Sequence, residues 1–438
     1  MVSHGFAMGC GALLAGLASS SALDTRRAVL YGLQDWMLAS LTVRNFKSIV
    51  DLTLELGRFN VFIGENGCGK TNILEALAMA AGAVANRLGN EDLFLRGVRV
   101  AKPSLMTNAF ADTTLGRDLE IVLAYPLPGE SKPALNTHRL GLRNGEWVSP
   151  VFEEAAQNLR SAAETSSTVK EFLAQLGTMD ADAAAEVAIK FLAAATGKSP
   201  DSLAATRKQN DLLQSFAIYC ADTLALRGLQ VQSRHAPIGL FGEGLDVAVA
   251  GLAPELRARL VEHARVISWL DDIDIDRDGA RKLAGYKLGR SLSDLYFVDR
   301  FLAGDNRVFS AENANEGILH VLFHLALFIH PDAPKLLAID NIETALNPHL
   351  LRHMVKTLAQ LAKENDRQAL VTTHNPAALD GLNLNDDDQR LFVVYRNDEG
   401  HTQARRIQVK PEASVDGSKL KLSELWMRGM LGAIPTHF

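Results

Sequence analysis

The pattern of apolar positions predicts strands and a helix near the start of the chain. SLTVRNFKSI and DLTLEL, within residues 39–63, alternate between apolar and polar positions, and FNVFI is a continuous apolar run that ends at a glycine. Alternation predicts a strand with one buried face, whereas a short continuous run is typical of a central strand buried on both faces. TNILEALAMAAGAVA follows with helical spacing and strong helix formers. This region is therefore predicted to be α/β.

A second region of strands and helices lies towards the carboxyl terminus, and further strands lie between the two regions. The Asn144-Gly145 dipeptide favours a tight hairpin turn. The predicted elements are strands at 119–127 and 138–148, strand patterns over 282–302, a helix near 313–329, an apolar strand at 335–340, a helix near 346–364 and an apolar strand at 368–373.

The middle of the chain has a different character. From about Glu153 to Val266, helical segments rich in Ala, Leu, Glu and Lys predominate, without the sustained heptads of a coiled-coil arm. We therefore predict an α/β head split by a compact helical insertion. The predicted boundaries are 1–36 for an extension, 37–150 for the first half of the head, 151–281 for the insertion and 282–438 for the second half.

Composition and charge change this picture mainly at the amino terminus. The stretch GFAMGCGALLAGLASSSA is like the apolar part of a secretory signal, but only His4 precedes it and no Lys or Arg does. We predict that translation begins at Met37 and that residues 1–36 are an unstructured extension or a misassigned start. Three cysteines in 438 residues cannot form a disulfide framework, which favours the reducing cytoplasm. No other segment reaches the roughly 18 apolar residues of a membrane span.

The strongest chemical signal is a glycine-rich loop between the predicted strand FNVFI and the helix after it. Its sequence matches G-x-x-x-x-G-K-[ST], in which backbone N–H groups and a helix N-terminus point at phosphate oxygens. We predict that Lys70 pairs with the β and γ phosphates of ATP and that the Thr71 hydroxyl binds Mg²⁺. The predicted nucleotide-binding residues are Gly64, Glu65, Asn66, Gly67, Cys68, Gly69, Lys70, Thr71 and Asn72.

Two later apolar strands end in residues that suit the same chemistry. LLAID ends at Asp340, and a buried strand with this ending delivers a carboxylate to the Mg²⁺ beside the phosphates. VTTHNP places His374 at the tip of the next strand, where its imidazole can hydrogen-bond a γ-phosphate. The predicted metal ligands are thus Thr71 and Asp340.

Together these motifs resemble the ABC-like P-loop ATPases of the SMC, RecF and OLD group. The opening LTVRNFKSI, the Walker B position at Asp340, a D-loop at residues 344–347 and a switch histidine at His374 carry the resemblance. It covers roughly 37–125 and 290–400. It implies an ABC-type head with a mixed sheet core and an antiparallel lobe.

The resemblance also implies a head-to-tail homodimer, able to assemble further, with two ATP molecules at its interface. In such a dimer a loop from the partner completes each site, and its best match here is the run that contains Asn315 and Gly317; relatives usually have Ser at the first of these positions. By the same resemblance Lys47 reaches the phosphates; the alternative is an exposed surface lysine.

One departure from the group concerns catalysis. Relatives usually have Glu directly after the Walker B Asp, as the base that orients water, whereas this chain has Asn341. General-base assistance contributes about 10²–10⁴-fold, so we predict slow hydrolysis and a long-lived ATP-bound dimer. Glu343 is a candidate replacement, or else the second acid of the group's D-E-P-E pattern.

Three functions remain open at this stage. We expect the chain to lack the Toprim nuclease of OLD proteins and the long heptad arms of SMC proteins, and therefore to be a stand-alone ATPase with a compact insert. Such relatives resemble the sensor subunit of bacterial anti-phage systems that work with a separately encoded effector, often a nuclease. The alternatives are a RecF-like DNA-repair clamp and a nucleotide-binding scaffold that does not hydrolyse ATP.

Overall fold

The computed structural model describes residues 37–110, 118–126, 133–149, 200–229, 237–281, 292–408, 414–415, 418–419 and 421–431. The predicted extension 1–36 lies outside these residues. The chain forms two compact units. The first comprises Met1–Gly57, Asn72–Phe216 and Arg396–Gln403, and the second comprises Arg58–Thr71, Ala217–Tyr395 and Ala404–Phe438.

The first unit contains a five-stranded antiparallel sheet, as expected for the antiparallel lobe. Its spatial order is β2-β1-β4-β5-β6. The hairpin between the last two strands turns at Asn144 and Gly145, whose φ angles are 54° and 82°. Both residue types tolerate positive φ, so the predicted hairpin is confirmed. The strands are β1 (Ser40–Phe46), β2 (Ile49–Glu55), β3 (Phe59–Ile63, of the second unit), β4 (Leu119–Tyr125), β5 (Ala134–Arg143) and β6 (Glu146–Val148).

Helix α1 (Lys70–Val84) follows the glycine-rich loop, and most of its length belongs to the first unit. Its residues from Ile73 to Ala81 are almost completely buried. A helix that is apolar on nearly every side must be packed on nearly every side. The loop therefore leads into an element that the core holds firmly. A short helix α2 (Asn90–Phe94) comes next.

The second unit is built on a six-stranded sheet of order β14-β13-β3-β12-β11-β7. The strands from β13 to β7 pair in parallel. Parallel strands end at the same edge, so the segments after β3, β11 and β12 lie along one edge of this sheet. The strands are β7 (Ile218–Tyr219), β11 (Leu336–Ile339), β12 (Gln368–Thr373), β13 (Gln389–Arg396) and β14 (Thr402–Ile407).

Two long helices of the second unit have different burial patterns. Every residue of α7 (Glu316–Ile329) from Ile318 onward is buried, whereas α8 (Pro348–Glu364) buries one face. Burial lowers the pKa of His324 in α7 to about 3, so this imidazole is a neutral core residue. Asn315 and Asn347 cap the two helices by accepting hydrogen bonds from the backbone N–H groups of their first turns.

The remaining described elements include part of the predicted insertion. Its residues 151–199 and 230–236 lie outside the described residues, so the boundaries 151–281 stay a prediction. Within its described part β7 joins the large sheet and β8 joins a three-stranded sheet of order β10-β9-β8. The elements are α3 (Pro200–Gln214), α4 (Thr223–Leu226), α5 (Leu245–Gly251), α6 (Pro254–Ala264), β8 (Leu270–Ile275), β9 (Leu295–Asp299), β10 (Val308–Ser310), β15 (Ser414–Val415), β16 (Ser418–Lys419) and α9 (Leu422–Met427). Among the described residues no helix has the length and apolar character needed to cross a bilayer.

A buried arginine fixes the end of α7 beside the start of β12. The guanidinium of Arg367 donates to the carbonyl oxygens of Phe328, His330, Ala333 and Pro334. The residue is only 3% exposed. Because carbonyl groups at a helix end lack partners within the helix, one cation satisfies several of them at once.

Replacing Arg367 with Met should therefore destabilise the second unit. The substitution keeps the apolar stem but removes the donor of the Ala333 and Pro334 carbonyl oxygens, while Phe328 keeps Asn365 and His330 keeps the Ala333 N–H. We expect a cost of about 3 kcal/mol. Urea unfolding followed by tryptophan fluorescence should show the transition at lower urea. Arg352→Met, at an exposed position on α8, should change the free energy of unfolding by less than about 0.5 kcal/mol. Equal effects of the two substitutions would contradict this role.

Candidate functional site

The glycine-rich loop runs from Gly64 to Thr71, between the buried strand β3 and the start of α1. A Cβ built at Gly64 would clash with the backbone carbonyl of Val394 in β13, so only glycine fits there. The φ angles of Gly67 and Gly69 are 78° and 106°, in the region that favours glycine. The sequence motif thus corresponds to a backbone path that requires its glycines.

Lys70 is folded into this loop. Its side chain is buried, and Nζ donates to the carbonyl oxygens of Gly64 at 2.7 Å and Glu65 at 2.9 Å. The ammonium group therefore lies among the backbone groups of the loop, at the N-terminus of α1. A fixed cation beside a helix N-terminus favours the binding of phosphate.

The end of β11 brings a carboxylate to the end of the loop. Asp340 follows that strand, and its Oδ1 and Oδ2 lie 3.2 and 3.0 Å from the Thr71 hydroxyl. The two residues are 269 positions apart in the chain. A hydroxyl and a carboxylate beside a phosphate-binding loop suit Mg²⁺, which takes one or two protein oxygen ligands together with phosphate oxygens and water. These two residues would hold the ion, which would neutralise phosphate charge.

Thr372 is a residue of this site that sequence reasoning missed. Its hydroxyl donates to Asp340 Oδ1 and accepts a hydrogen bond from the backbone N–H of Asn341 at 3.0 Å. The side chain is fully buried at the end of β12. The signal in the sequence that could have indicated Thr372 is the pair of threonines that ends the otherwise apolar strand QALVTT.

Asn341 occupies the position after Asp340 and has a backbone role of its own. Its φ is 55°, and its carbonyl accepts hydrogen bonds from the backbone N–H and the hydroxyl of Thr344. Asn is one of the few residues besides glycine that tolerate this conformation. An asparagine here therefore suits the turn that follows β11, in addition to any effect on catalysis.

Glu343 lies in the same turn and contacts His374. Its Oε1 is 2.5 Å from Nδ1 of the imidazole and accepts the backbone N–H of His374 at 3.2 Å. The Glu343 side chain is 8% exposed and the imidazole is 52% exposed. The second carboxylate oxygen, Oε2, is buried without a hydrogen-bond partner among the described residues. The His374 imidazole is thus half-exposed, and the buried Glu343 carboxylate fixes its position.

Two further predicted nucleotide-binding residues, Lys47 and Asn72, have partners within the first unit. Lys47 and Asn72 belong to the first unit, where Lys47 Nζ lies 2.6 Å from the fully buried carboxylate of Glu75. Burial lowers the Lys47 pKa, which Glu75 opposes. Asn72 Nδ2 donates to Ser48 Oγ at 2.7 Å. The role predicted for Lys47 in phosphate binding stays a prediction.

The predicted partner-facing loop precedes α7. The Asn315 side chain accepts the backbone N–H of Ile318 at 3.1 Å, as a helix cap. A Cβ on Gly317 would meet the Ala345 carbonyl at 3.5 Å, ordinary van der Waals contact. The loop therefore lies beside the turn after β11. The part of both residues in a dimer stays a prediction.

Two cysteines near the site are un-ionised at neutral pH. Burial raises the pKa of the Cys68 thiol, and Lys70 opposes this effect only in part. Burial, with the negative charges of Asp340, Asp222 and Glu343, raises the pKa of Cys220 to about 11. Because the thiolate is the reactive form, both are expected to be inert.

The fold and this edge of the sheet define a P-loop ATPase head: a phosphate-binding loop after one parallel strand, and an acid after another, meet at the same place. Comparisons with known proteins agree. A family model described as "AAA domain, putative AbiEii toxin, Type IV TA system" matches residues 225–380, and one described as "AAA domain" matches residues 40–118.

Curated relatives match over a short stretch. The DNA replication and repair proteins RecF of Listeria welshimeri, Listeria monocytogenes and Listeria innocua are 46% identical over 59 residues. This stretch is 13% of this chain and 16% of the length of the RecF proteins. The two family models and the RecF matches support a P-loop ATPase of the SMC/RecF group.

A search of solved structures finds structural similarity to SMC head domains. One is an SMC head bound to the C-terminal winged-helix domain of ScpA. The match covers 85% of this chain and 98% of the SMC chain, with a TM-score of 0.47 and 12% sequence identity. The match to the SMC head domain of Thermotoga maritima covers 85% of this chain and 99% of that domain, with a TM-score of 0.43 and 13% sequence identity.

Replacing Thr372 with Val should weaken the Mg²⁺-dependent part of ATP binding. Valine has nearly the same shape, but Asp340 loses a donor and the buried N–H of Asn341 loses its acceptor. Loss of a residue that orients a metal ligand typically lowers metal affinity about 10- to 100-fold. Isothermal titration of ATP with and without Mg²⁺ measures this, and Thr372→Ser, which keeps the hydroxyl, should bind nearly normally. Loss of binding in both variants would contradict the role of the hydroxyl.

Proposed function

We propose that the chain binds Mg·ATP at Gly64–Thr71 and Asp340, hydrolyses it slowly and acts as a dimeric switch in the cytoplasm. The observation that carries this proposal is the contact between the Thr71 hydroxyl and both Asp340 carboxylate oxygens. In this proposal Lys70, already inside the loop, neutralises the β and γ phosphates.

Slow hydrolysis follows from the residues available to activate water. The amide of Asn341 cannot accept a proton. The Glu343–His374 pair is the alternative: a carboxylate 2.5 Å from Nδ1 requires a proton between the two atoms, so Nε2 of a neutral ring is left as an acceptor. In this proposal Glu343 positions His374, and Nε2 of the neutral ring accepts a hydrogen bond from the attacking water. Contact with the γ-phosphate would instead use the protonated ring, whose Nε2–H donates to a phosphate oxygen.

The proposed dimer places two heads head-to-tail, with Asn315 and Gly317 of each facing the ATP of the other. Support comes from the position of this loop at the N-terminus of α7, where backbone N–H groups suit an anion. Binding of ATP would then hold the two heads together, and slow hydrolysis would keep them so. Further assembly of such dimers is compatible with the proposal.

The proposed biological role is that of the ATPase and sensor subunit of an anti-phage defence system with a separate effector, such as a nuclease. The family model over 225–380, whose description refers to a toxin and a type IV TA system, favours this role. The RecF matches favour the alternative of a DNA-repair ATPase, for which DNA would be the ligand. A non-hydrolysing scaffold is the third possibility, favoured by Asn341. A toxin or nuclease gene directly downstream would support defence, whereas replication or recombination genes would support repair.

Lys70→Ala should bind ATP about 10- to 100-fold more weakly than the unchanged chain. A hydrogen bond to a charged group contributes about 1.5–3 kcal/mol, and each 1.4 kcal/mol changes affinity about tenfold. Isothermal titration measures the affinity, and native mass spectrometry with ATP reports the dimer, which should be lost together with binding. Lys356→Ala, at an exposed lysine of α8, is the matched control. Unchanged ATP affinity in Lys70→Ala would overturn the assignment of the loop.

Asn341→Glu should raise the rate of ATP hydrolysis. A carboxylate next to Asp340 can accept a proton from water, and such assistance contributes about 10²–10⁴-fold. The positive φ costs Glu about 1–2 kcal/mol of stability. Asn341→Gln carries the same strain and length without the carboxylate, so its rate should not rise. Release of phosphate under saturating ATP is the measurement, and no gain in the Glu variant would contradict the explanation of slow hydrolysis.

A further inference from the structure

Away from the nucleotide site, the second unit has a cleft of about 540 Å³ between α5, α6 and β8. Its floor is apolar, with Leu252, Val261 and Ile273 each at most 7% exposed. Three arginines line it, Arg257, Arg265 and Arg277, together with a single acid, Asp272. An apolar floor with a few converging charged groups is typical of a binding site.

The three guanidinium groups are held by neutral backbone groups. Arg257 Nη2 donates to the Ile273 carbonyl at 2.7 Å, Arg265 donates to the Asp271 carbonyl at 3.0 and 3.2 Å, and Arg277 Nη2 donates to the Ala250 carbonyl at 3.1 Å. A guanidinium carries five N–H donors, so each arginine keeps donors for a ligand. Side chains that are already anchored lose less entropy on binding.

The charges of Arg265 and Arg277 are not paired with neighbouring acids, whereas Arg257 contributes to lowering the pKa of Asp274. Among the described residues no carboxylate lies within ion-pair distance of any of the three. The nearby acids Asp271 and Asp274 are instead paired with Arg307 and Arg281. The cleft therefore has a net positive charge and favours an anion.

The surroundings of the cleft restrict the kind of anion. Residues 254–278 contain seven Asp or Glu against four Arg. Exposed acids, including Glu255, Asp272 and Asp278, lie along this segment. A nucleic-acid backbone carries a charge at every step and would be repelled by them, whereas a single carboxylate in the cleft meets only Asp272, against three arginines.

We propose that this cleft binds an acidic and apolar segment of a partner protein, in which an Asp or Glu side chain lies next to a large apolar residue. The carboxylate pairs with Arg265 and Arg277 through forked hydrogen bonds, and the apolar residue packs on Leu252 and Val261. Arginine matches the planar geometry of a carboxylate, and apolar anchors with arginine are typical of protein interfaces. This proposal does not rest on ATP binding.

The test uses fluorescence anisotropy with the full chain and a fluorescein-labelled, carboxyl-amidated peptide with one acid, Gly-Leu-Gly-Leu-Asp-Leu-Gly-Gly. It should bind saturably, at least tenfold more tightly than the same peptide with Asn in place of Asp. The double variant Arg265→Gln and Arg277→Gln should lose this preference. Both arginines are exposed, so the fold should persist, which circular dichroism checks. Arg352→Gln on α8 is the control.

Reversing the charge of the two arginines is a more stringent test than neutralising them. Arg265→Glu with Arg277→Glu should prefer a peptide in which Lys replaces Asp, since the apolar floor is unchanged. Two outcomes overturn the proposal: no saturable binding of the acidic peptide, or binding that the arginine substitutions leave unchanged. A labelled DNA duplex that binds through these arginines where the acidic peptide does not would also overturn it, and would assign the cleft to nucleic acid.

Discussion

The contact between the Thr71 hydroxyl and the Asp340 carboxylate is the interaction on which the candidate nucleotide site depends. It joins two segments separated by most of the chain, and it exists because β3, β12 and β11 pair in parallel within one sheet. Parallel pairing places the segments after these strands at one edge. Any change that shifts β11 relative to β3 would separate the hydroxyl from the carboxylate before it altered the loop itself.

Much of this arrangement could be predicted from the sequence, because strong local signals carry it. The continuous apolar runs before Gly64 and Asp340 predict buried central strands, and the structure has β3 and β11 there. The glycine pattern requires a particular backbone path, which the positive φ angles show. The Asn144-Gly145 hairpin likewise follows from the conformations that those two residues tolerate.

The contacts that hold the candidate catalytic side chains could not be predicted, since they depend on register between strands. The pairing of Ile339 with Val371 places Asp340 beside Thr372, and no periodicity in the sequence specifies that register. The contact between Glu343 and His374 likewise joins two turns that meet only in the folded chain. Glu75 is a similar case: an acid inside an apolar helix gives no indication of which cations will surround it.

The close approach of Gly64 to the Val394 backbone has a consequence for the evolution of the protein. β13 contains none of the predicted nucleotide-binding residues, yet its backbone carbonyl at Val394 leaves no room for a methyl group at the first position of the loop. Selection on nucleotide binding therefore extends to the path of a strand with no chemistry of its own. Insertions or bulges in that strand would be expected to disappear from descendants as quickly as substitutions of the loop glycine.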